Sequence, residues 1–365
     1  MFSRRSFVFS LLAGPLMLLT ACSSDGETSS TAVSAGTNAA GNTPTASAST
    51  EQVTLRLGYF PNITHAPALV GVQLGLFAKA LGPNVRLQTA TFNAGPAATE
   101  ALFADAIDAT YIGPNPAINA YVKSKGDALR IVAGSTSGGA FLVVKPEIKT
   151  AADLQGKKIA SPQLGGTQDV ALRSWLKQQG YATDTSGGGD VSVVPQDNGA
   201  TLDAFKAGDI DGGWLPEPWA TRLIQEGGGM VLVDERTLWP EGQFATTHVI
   251  VAKGFLEKHP DVVKGLIQGE LDSLDYIKAN EADAQKAANA QIDAITQKPL
   301  QDAVIAASWK NLEFTYDPIA SSLKTSADAA TAVGLLDKVD LDGIYSLDIL
   351  KRLLQDKGLA EVKGF

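Results

Sequence analysis

The run Thr247-His-Val-Ile-Val251 decides how this chain is organised, because it is the last stretch with a strand-like pattern. Its apolar and β-branched residues suit a buried strand. Beyond it, apolar residues recur only at helical spacing, over Pro260 to Lys278, Glu281 to Ile292, Leu300 to Leu312, Ile319 to Leu336 and Ser346 to Lys357. Amphipathic helices without a sheet of their own must bury their apolar faces against an existing layer. A late strand that rejoins an early sheet would supply that layer. The expectation is a chain that builds one lobe, leaves it, and returns through Thr247.

Upstream, strand-like and helix-like segments alternate. Val53-Thr-Leu-Arg-Leu-Gly-Tyr59 has period two, Ala66 to Leu81 has helical spacing, and Val85 to Thr91 alternates again. Helical Ala97 to Ala106, the short strand ending at Tyr111-Ile112, helical Pro116 to Lys125 and strand Leu129 to Ala133 complete a first unit. Near Phe141-Leu-Val-Val144 a second unit of the same kind begins and runs to strand Met230 to Val233. The predicted fold class is α/β and two-lobed, each lobe a mixed sheet flanked by helices, with a C-terminal helical block. The predicted bounds are 53–141 for lobe I, 142–246 for lobe II, and 247–365 for the return to lobe I. Two crossings between lobes imply a cleft, a common place for a small-molecule site.

The amino terminus speaks to location. Arg4 and Arg5 precede an apolar run from Phe7 to Leu19, too short to span a bilayer but the size of a signal-peptide core. The Arg pair resembles a twin-arginine export signal, with the general secretory route as the alternative. Leu19-Thr-Ala-Cys22 resembles a bacterial lipobox, which makes residues 1–21 a signal peptide and Cys22, the only cysteine, the lipidation site. Residues 22–52 are mostly Ser, Thr, Ala and Gly, which cannot bury enough apolar surface to order themselves. They read as a lipid-anchored tether with a reach of about 30 Å. A single cysteine excludes an internal disulfide. The net charge of −9 argues against nucleic acid as a partner.

Catalytic signatures are missing: no nucleophile elbow, P-loop, HExxH or dinucleotide fingerprint occurs. No catalytic residue, cofactor or metal is therefore assigned. His65, His248 and His259 have no metal-ligand spacing. What recurs instead are strand-to-helix turns rich in Gly, Pro and Asn. They are Phe60-Pro-Asn-Ile-Thr-His65, Phe92-Asn-Ala-Gly-Pro96 and Gly113-Pro-Asn-Pro116 in the first unit. The second unit has Gln163-Leu-Gly-Gly-Thr-Gln168, Pro195-Gln-Asp-Asn198 and Trp214-Leu-Pro-Glu-Pro-Trp219. Such turns lie at the carboxyl ends of strands, where open α/β sheets bind ligands. Each offers free N–H groups and a positive helix-dipole end, so several together hold an anion without Lys or Arg. Within Gly113-Pro-Asn-Pro116, Asn115 is the expected N-cap with Pro116 as the first helical residue. Glu217 is read as a lobe-closing partner, a cap on the following helix, or both. His248 reads as either a satisfied core histidine or a cleft residue.

These turns carry a resemblance. Gly58-Tyr59 with Ala66-Pro-Ala-Leu and Gly75-Leu-Phe77, Asn93-Ala-Gly-Pro-Ala-Ala-Thr-Glu-Ala-Leu102, and Tyr111-Ile-Gly-Pro-Asn-Pro116 carry it in lobe I. Asp153-Leu-Gln-Gly-Lys-Lys-Ile159, Ala204-Phe-Lys-Ala-Gly-Asp-Ile-Asp211 and Gly213-Trp-Leu-Pro-Glu-Pro-Trp219 carry it in lobe II. The chain resembles type II solute-binding proteins of ABC importers, of the nitrate, sulfonate and taurine group. The resemblance implies a type II periplasmic-binding-protein fold and a monomer that serves a membrane permease and its ATPase; export, the lipid tether and the missing nucleophile argue against the alternative of an enzyme on the same fold. It implies a small organic anion, foremost an aliphatic sulfonate, with nitrate, taurine or bicarbonate as alternatives. Carried over by position, Asn93, Gly95, Asn115, Gly166, Thr167 and Gln168 would meet the head group. Trp214 and Trp219 would shape the tail side. The turn at Phe60, Asn62 and His65 is also similar to one in binders of thiamine-precursor pyrimidines, which would imply a heterocyclic ligand.

Overall fold

The computed structural model describes residues 52–337 and 339–365. The expected signal peptide, Cys22 and nearly all of the tether lie outside the described residues. In chain order the first elements are β1 (Val53–Tyr59), α1 (Ala66–Gln73), α2 (Leu76–Leu81), β2 (Val85–Thr91), α3 (Gly95–Phe103), β3 (Ala109–Ile112), α4 (Pro114–Lys123) and β4 (Leu129–Gly138). Then come β5 (Ala140–Val144), β6 (Lys158–Ser161), α5 (Thr167–Gln178), β7 (Ser192–Pro195), α6 (Asn198–Ala207), β8 (Gly212–Pro216), α7 (Trp219–Gln225) and β9 (Met230–Asp234). The return is β10 (Ala245–Ala252), followed by α8 (Lys253–Lys258), α9 (Pro260–Ala279), α10 (Glu281–Thr296), α11 (Asp302–Trp309), β11 (Leu312–Phe314), α12 (Ala320–Ala332) and α13 (Asp348–Lys357).

Two sheets result. The first has the order β11-β4-β10-β3-β1-β2, and the second β7-β6-β8-β5-β9. Both are mixed: β1 pairs in parallel with β2 and β3, whereas β10 lies antiparallel between β3 and β4. In the second sheet β6 is parallel to β7 and β8, and β5 is antiparallel to β8 and β9. The strand at Thr247 therefore does rejoin the first sheet, near its centre. We refer to the parts built on the two sheets as lobe I and lobe II.

The alternation in β1 puts Leu55, Leu57 and Tyr59 into a core shared with the C-terminal helices. There α9 contributes Val263, Leu266 and Ile267, and α13 contributes Leu350 and Leu354. Gly269 of α9 meets Phe77 of α2 so closely that an added Cβ would stand 2.4 Å from its ring. On the other face, Ile112, Ile118, Ile131 and Ile250 pack with Leu323 of α12. The helical block thus covers the returning sheet on both sides.

Four sequence expectations need correction. The C-terminal block is not purely helical, because Leu312–Phe314 pairs antiparallel with β4 as an edge strand. Three residues are too few for a periodicity to register. The helix expected over Ala66 to Leu81 breaks at Gly75, whose φ of 69° restarts the chain as α2. Strand β4 runs on past Ala133 to Gly138, and the crossing into the second sheet falls at Gly138-Gly139, both with positive φ. Finally, the N-cap of α4 is Gly113 and Pro114 opens the helix, so Asn115 lies within the first turn rather than capping it.

Candidate functional site

A cavity of about 40 Å³ lies between the lobes, at the carboxyl ends of strands from both sheets. Lobe I lines it with Phe60, Asn62, Thr64 and His65 from the turn after β1, with Asn93, Ala94 and Gly95 after β2, and with Gly113 and Thr246. Lobe II supplies Pro162, Gly166, Thr167, Gln168, Asn198 and Pro216. Gly95 opens α3, Gly113 caps α4, Gly166 caps α5 and Asn198 opens α6. Four helix amino termini therefore reach one small space. None of the lining residues is Lys, Arg, Asp or Glu. The field inside is set by N–H groups and helix dipoles, which favour a single negative charge.

The local sequence explains the close approach. Thr167 lies against Gly113, where an added Cβ would stand 2.2 Å from the Thr167 hydroxyl. Only glycine lets the tips of α4 and α5 meet there. Two buried polar atoms in the lining have no partner among the described residues: Thr167 Oγ1, which can donate or accept, and Asn198 Oδ1, which accepts. Buried polar groups are seldom left unpaired, so both have bonding capacity to spare.

The aromatic wall is braced from behind. Phe60 and His65 stack with ring centroids 4.2 Å apart. The Phe60 N–H donates to His65 Nδ1 at 3.4 Å, which leaves the proton of the neutral ring on Nε2. Burial lowers the His65 pKa to about 3, so the ring is uncharged at neutral pH. Tyr111 tilts against His65 at 6.3 Å, and its hydroxyl donates to Glu270 Oε2 at 2.5 Å. Burial raises the Glu270 carboxyl to about 7.

Two bridges tie the lobes together beside the cavity. Trp219 Nε1 donates to Asn62 Oδ1 at 2.9 Å. The fully buried Glu217 carboxylate accepts from Thr221 N and Oγ1 at the start of α7, at 3.1 and 2.8 Å. It also accepts from Ser308 Oγ at 3.2 Å and from Asn311 Nδ2 at 2.6 Å, both on the C-terminal block. Glu217, one residue before the Pro218 N-cap, thus both pairs the Thr221 N–H in the first turn of α7 and links the lobes. Desolvation raises its pKa, and the four hydrogen bonds work against that rise.

Of the residues singled out in the sequence, Phe60, Asn62, His65, Asn93, Gly95, Gly166, Thr167 and Gln168 line the cavity. The others do not. Asn115 turns away to donate to the Ser326 carbonyl at 3.0 Å. Trp214 lies in the core of lobe II, with its indole N–H on Glu235 at 2.7 Å. His248 is a core histidine: its Nε2 is 2.8 Å from the Pro318 carbonyl, and burial lowers its pKa to about 4. Trp219 and Glu217 hold the lobes together without facing the cavity. Thr64 and Asn198 line it from turns already marked in the sequence, whereas Pro162 and Thr246 line it from outside any such turn. Asn198 ends the turn Pro195-Gln-Asp-Asn198, so its position at a strand end was the available signal.

Residues 48–292 match the NMT1-like family. This chain belongs to that family. Among curated relatives, it is 30% identical over 214 residues to a taurine-binding periplasmic protein of Escherichia coli, covering 59% of this chain and 64% of that protein. A putative aliphatic sulfonates-binding protein of the same species is 28% identical, over 53% of this chain and 58% of the relative. The NMT1-like chain therefore spans less than two thirds of the length of these relatives. In three dimensions it resembles the alkanesulfonate-binding protein SsuA of Xanthomonas axonopodis, at a TM-score of 0.64 and 20% identity, covering 79% of this chain and 96% of that one. The nitrate-binding protein NrtA of Synechocystis aligns at a TM-score of 0.68 and 15% identity, over 84% and 89% of the two chains. The fold is that of the type II periplasmic-binding proteins.

Proposed function

We propose that this NMT1-like protein is the extracytoplasmic solute-binding component of an ABC importer. It binds a small organic anion, foremost an aliphatic sulfonate, between the lobes and delivers it to a membrane permease. The observation that carries this reading is the meeting of four helix amino termini on a cavity without charged side chains. The Thr167 hydroxyl, unpartnered among the described residues, adds a donor for the anion. The names of the taurine-, sulfonate-, nitrate- and bicarbonate-binding relatives support the same ligand class.

Binding works by population shift. Groups from both lobes contact the solute only when the lobes close, so the solute favours the closed arrangement. The bridges at Asn62–Trp219 and Glu217–Asn311 belong to that arrangement. Cys22 carries a lipid, and the tether behind it keeps the monomeric trap beside its permease on the outer face of the membrane. None of this requires catalysis.

A thermal-shift screen tests the reading. The panel holds alkanesulfonates, taurine, nitrate, bicarbonate and pyrimidines. A ligand at a hundredfold excess over its Kd stabilises the protein by about 2.7 kcal/mol. A shift with pyrimidines and none with any anion would overturn the anion assignment. Loss of uptake of the identified solute on gene deletion, and loss of membrane association in Cys22→Ala, test the delivery role.

A further inference from the structure

Helix α5 brings Gly166, Thr167 and Gln168 to the cleft, and the next residue is the acidic Asp169, fully buried. A carboxylate in the first turn of a helix ordinarily opposes the positive end of the dipole that an anion would use. Yet no side chain caps α5. The Asp169 carboxylate reaches back to the turn before the helix. Its Oδ1 accepts from Ser161 Oγ at 2.7 Å, and its Oδ2 accepts from Gly165 N at 2.9 Å. Ser161 ends β6 and Gly165 precedes the helix, so one carboxylate holds both ends of the connecting turn. That turn carries Pro162 and Gly166 to the cavity wall.

Arg173 stands one turn further along α5 and is 1% exposed. Its Nε donates to Asp169 Oδ2 at 3.1 Å and its Nη1 to the Asp184 carbonyl at 2.7 Å. Its Nη2 is buried with no partner among the described residues. The Asp184 carboxylate is occupied by Ser186 and Gly188, which leaves Asp169 as the carboxylate that Arg173 binds. A buried guanidinium with an unused donor is a costly way to hold a turn that Ser161 and Gly165 already tie to Asp169. Buried ion pairs add little net stability over apolar residues of the same volume. Their charges, however, are poorly screened. An unpaired Asp169, one residue behind the cavity lining, would repel the anion that the four helix ends attract.

We propose that Arg173 sets the charge selectivity of the cleft by cancelling Asp169. Asp169 is thereby free to shape the turn, while the amino terminus of α5 still meets the solute as a positive end. Both are positioning residues, since neither lines the cavity. This rests on the anion reading of the cleft.

The test is the sign of two substitutions, read by calorimetry with methanesulfonate and nitrate at pH 7 on the purified protein. Arg173→Gln keeps a donor toward Asp169 but leaves the negative charge uncompensated, and should bind both anions roughly fivefold more weakly. Asp169→Asn keeps the shape and an acceptor for Gly165 while leaving the Arg173 charge unopposed, and should bind them roughly threefold more tightly. The double variant is neutral again and should bind like the parent. A pair that only supports the turn would weaken binding in both single variants, so weaker binding by Asp169→Asn overturns the proposal. A double variant as weak as Arg173→Gln does so too. If Arg173→Gln loses its cooperative melting transition, the sign of the change in Asp169→Asn decides alone. If the unaltered protein binds neither anion, the anion reading of the cleft fails and the role of Arg173 falls with it.

Discussion

Trp219 of lobe II donates its indole N–H to Asn62 Oδ1 of lobe I at 2.9 Å, directly behind the solute cavity. Asn62 is buried and lines that cavity, so one residue serves both closure and the site. Such a bond is present in the closed arrangement and adds to its population. Trp219→Phe keeps the ring and removes the donor. With a net hydrogen-bond contribution of about 1 kcal/mol, affinity should fall roughly fivefold. Titration calorimetry measures it. A double cycle with Asn62→Ala should show that the two losses are not additive. Additive losses would mean that the pair does not act through this bond.

Glu217 has a larger role, because four donors depend on its carboxylate. In Glu217→Ala, Thr221, Ser308 and Asn311 lose their shared acceptor. Leaving buried donors unpaired costs about 1–3 kcal/mol each where water cannot reach them. The expected loss is on the order of 3 kcal/mol, read from the urea midpoint at constant m. Glu217→Gln keeps one oxygen, which serves two of the four donors, and should lose roughly half of that. In solution scattering, Glu217→Ala without ligand should also be more open than the parent protein. Equal stability of all three proteins would show that the bridge is dispensable.

The fold was largely legible because its elements are long and periodic. Strand β1 with Leu55 and Leu57, and helix α9 with Val263, Leu266 and Ile267, bury one side of a regular pattern. The return through Thr247 followed from the absence of any later long strand. The three-residue β11 was not legible, since its pairing with β4 depends on a neighbour more than 170 residues away in sequence. The same holds for the site. Turns rich in Gly, Pro and Asn mark strand ends, so Asn93, Gly95, Gly166, Thr167 and Gln168 could be placed from sequence. Which way a side chain turns from such a place could not. Trp214 alternates into the lobe core toward Glu235, and Asn115 turns toward the Ser326 carbonyl of α12.

Buried titratable groups give stability a two-sided pH profile. Burial raises Glu235 and Glu270 to about 7, above the ordinary carboxylate range. The folded state binds their protons more tightly than the unfolded state does. Their stabilising contribution is full below about 4.5 and is lost as pH rises through about 7. His65 and His248 behave oppositely, because burial lowers them to about 3 and about 4 from an ordinary 6.5. Their contribution is full above 6.5 and is lost as pH falls toward those values. The two limbs oppose each other between about 4.5 and 6.5, so a broad stability maximum is expected over that range, with a fall on either side. Glu270→Gln should flatten the alkaline limb by on the order of 3 kcal/mol between pH 5 and 8, and leave the acid limb in place. Melting curves across pH check this. An unchanged alkaline limb would mean that Glu270 titrates as an ordinary carboxylate.

The buried hydroxyl of Thr167 separates stability from binding. It has no partner among the described residues, so the fold gains no hydrogen bond from it and bears the expense of its desolvation. Thr167→Val keeps the branched shape against Gly113 and removes only the donor. Stability should be unchanged or rise by up to about 1 kcal/mol. Affinity for the anionic solute should nevertheless fall about tenfold, since a hydrogen bond to a charged group contributes about 1.5–3 kcal/mol. Most hydrogen-bond deletions lower both quantities together, so the opposed response identifies a group kept for the ligand. A fall in stability with unchanged affinity would place Thr167 among the structural residues and leave the helix amino termini as the whole of the head site.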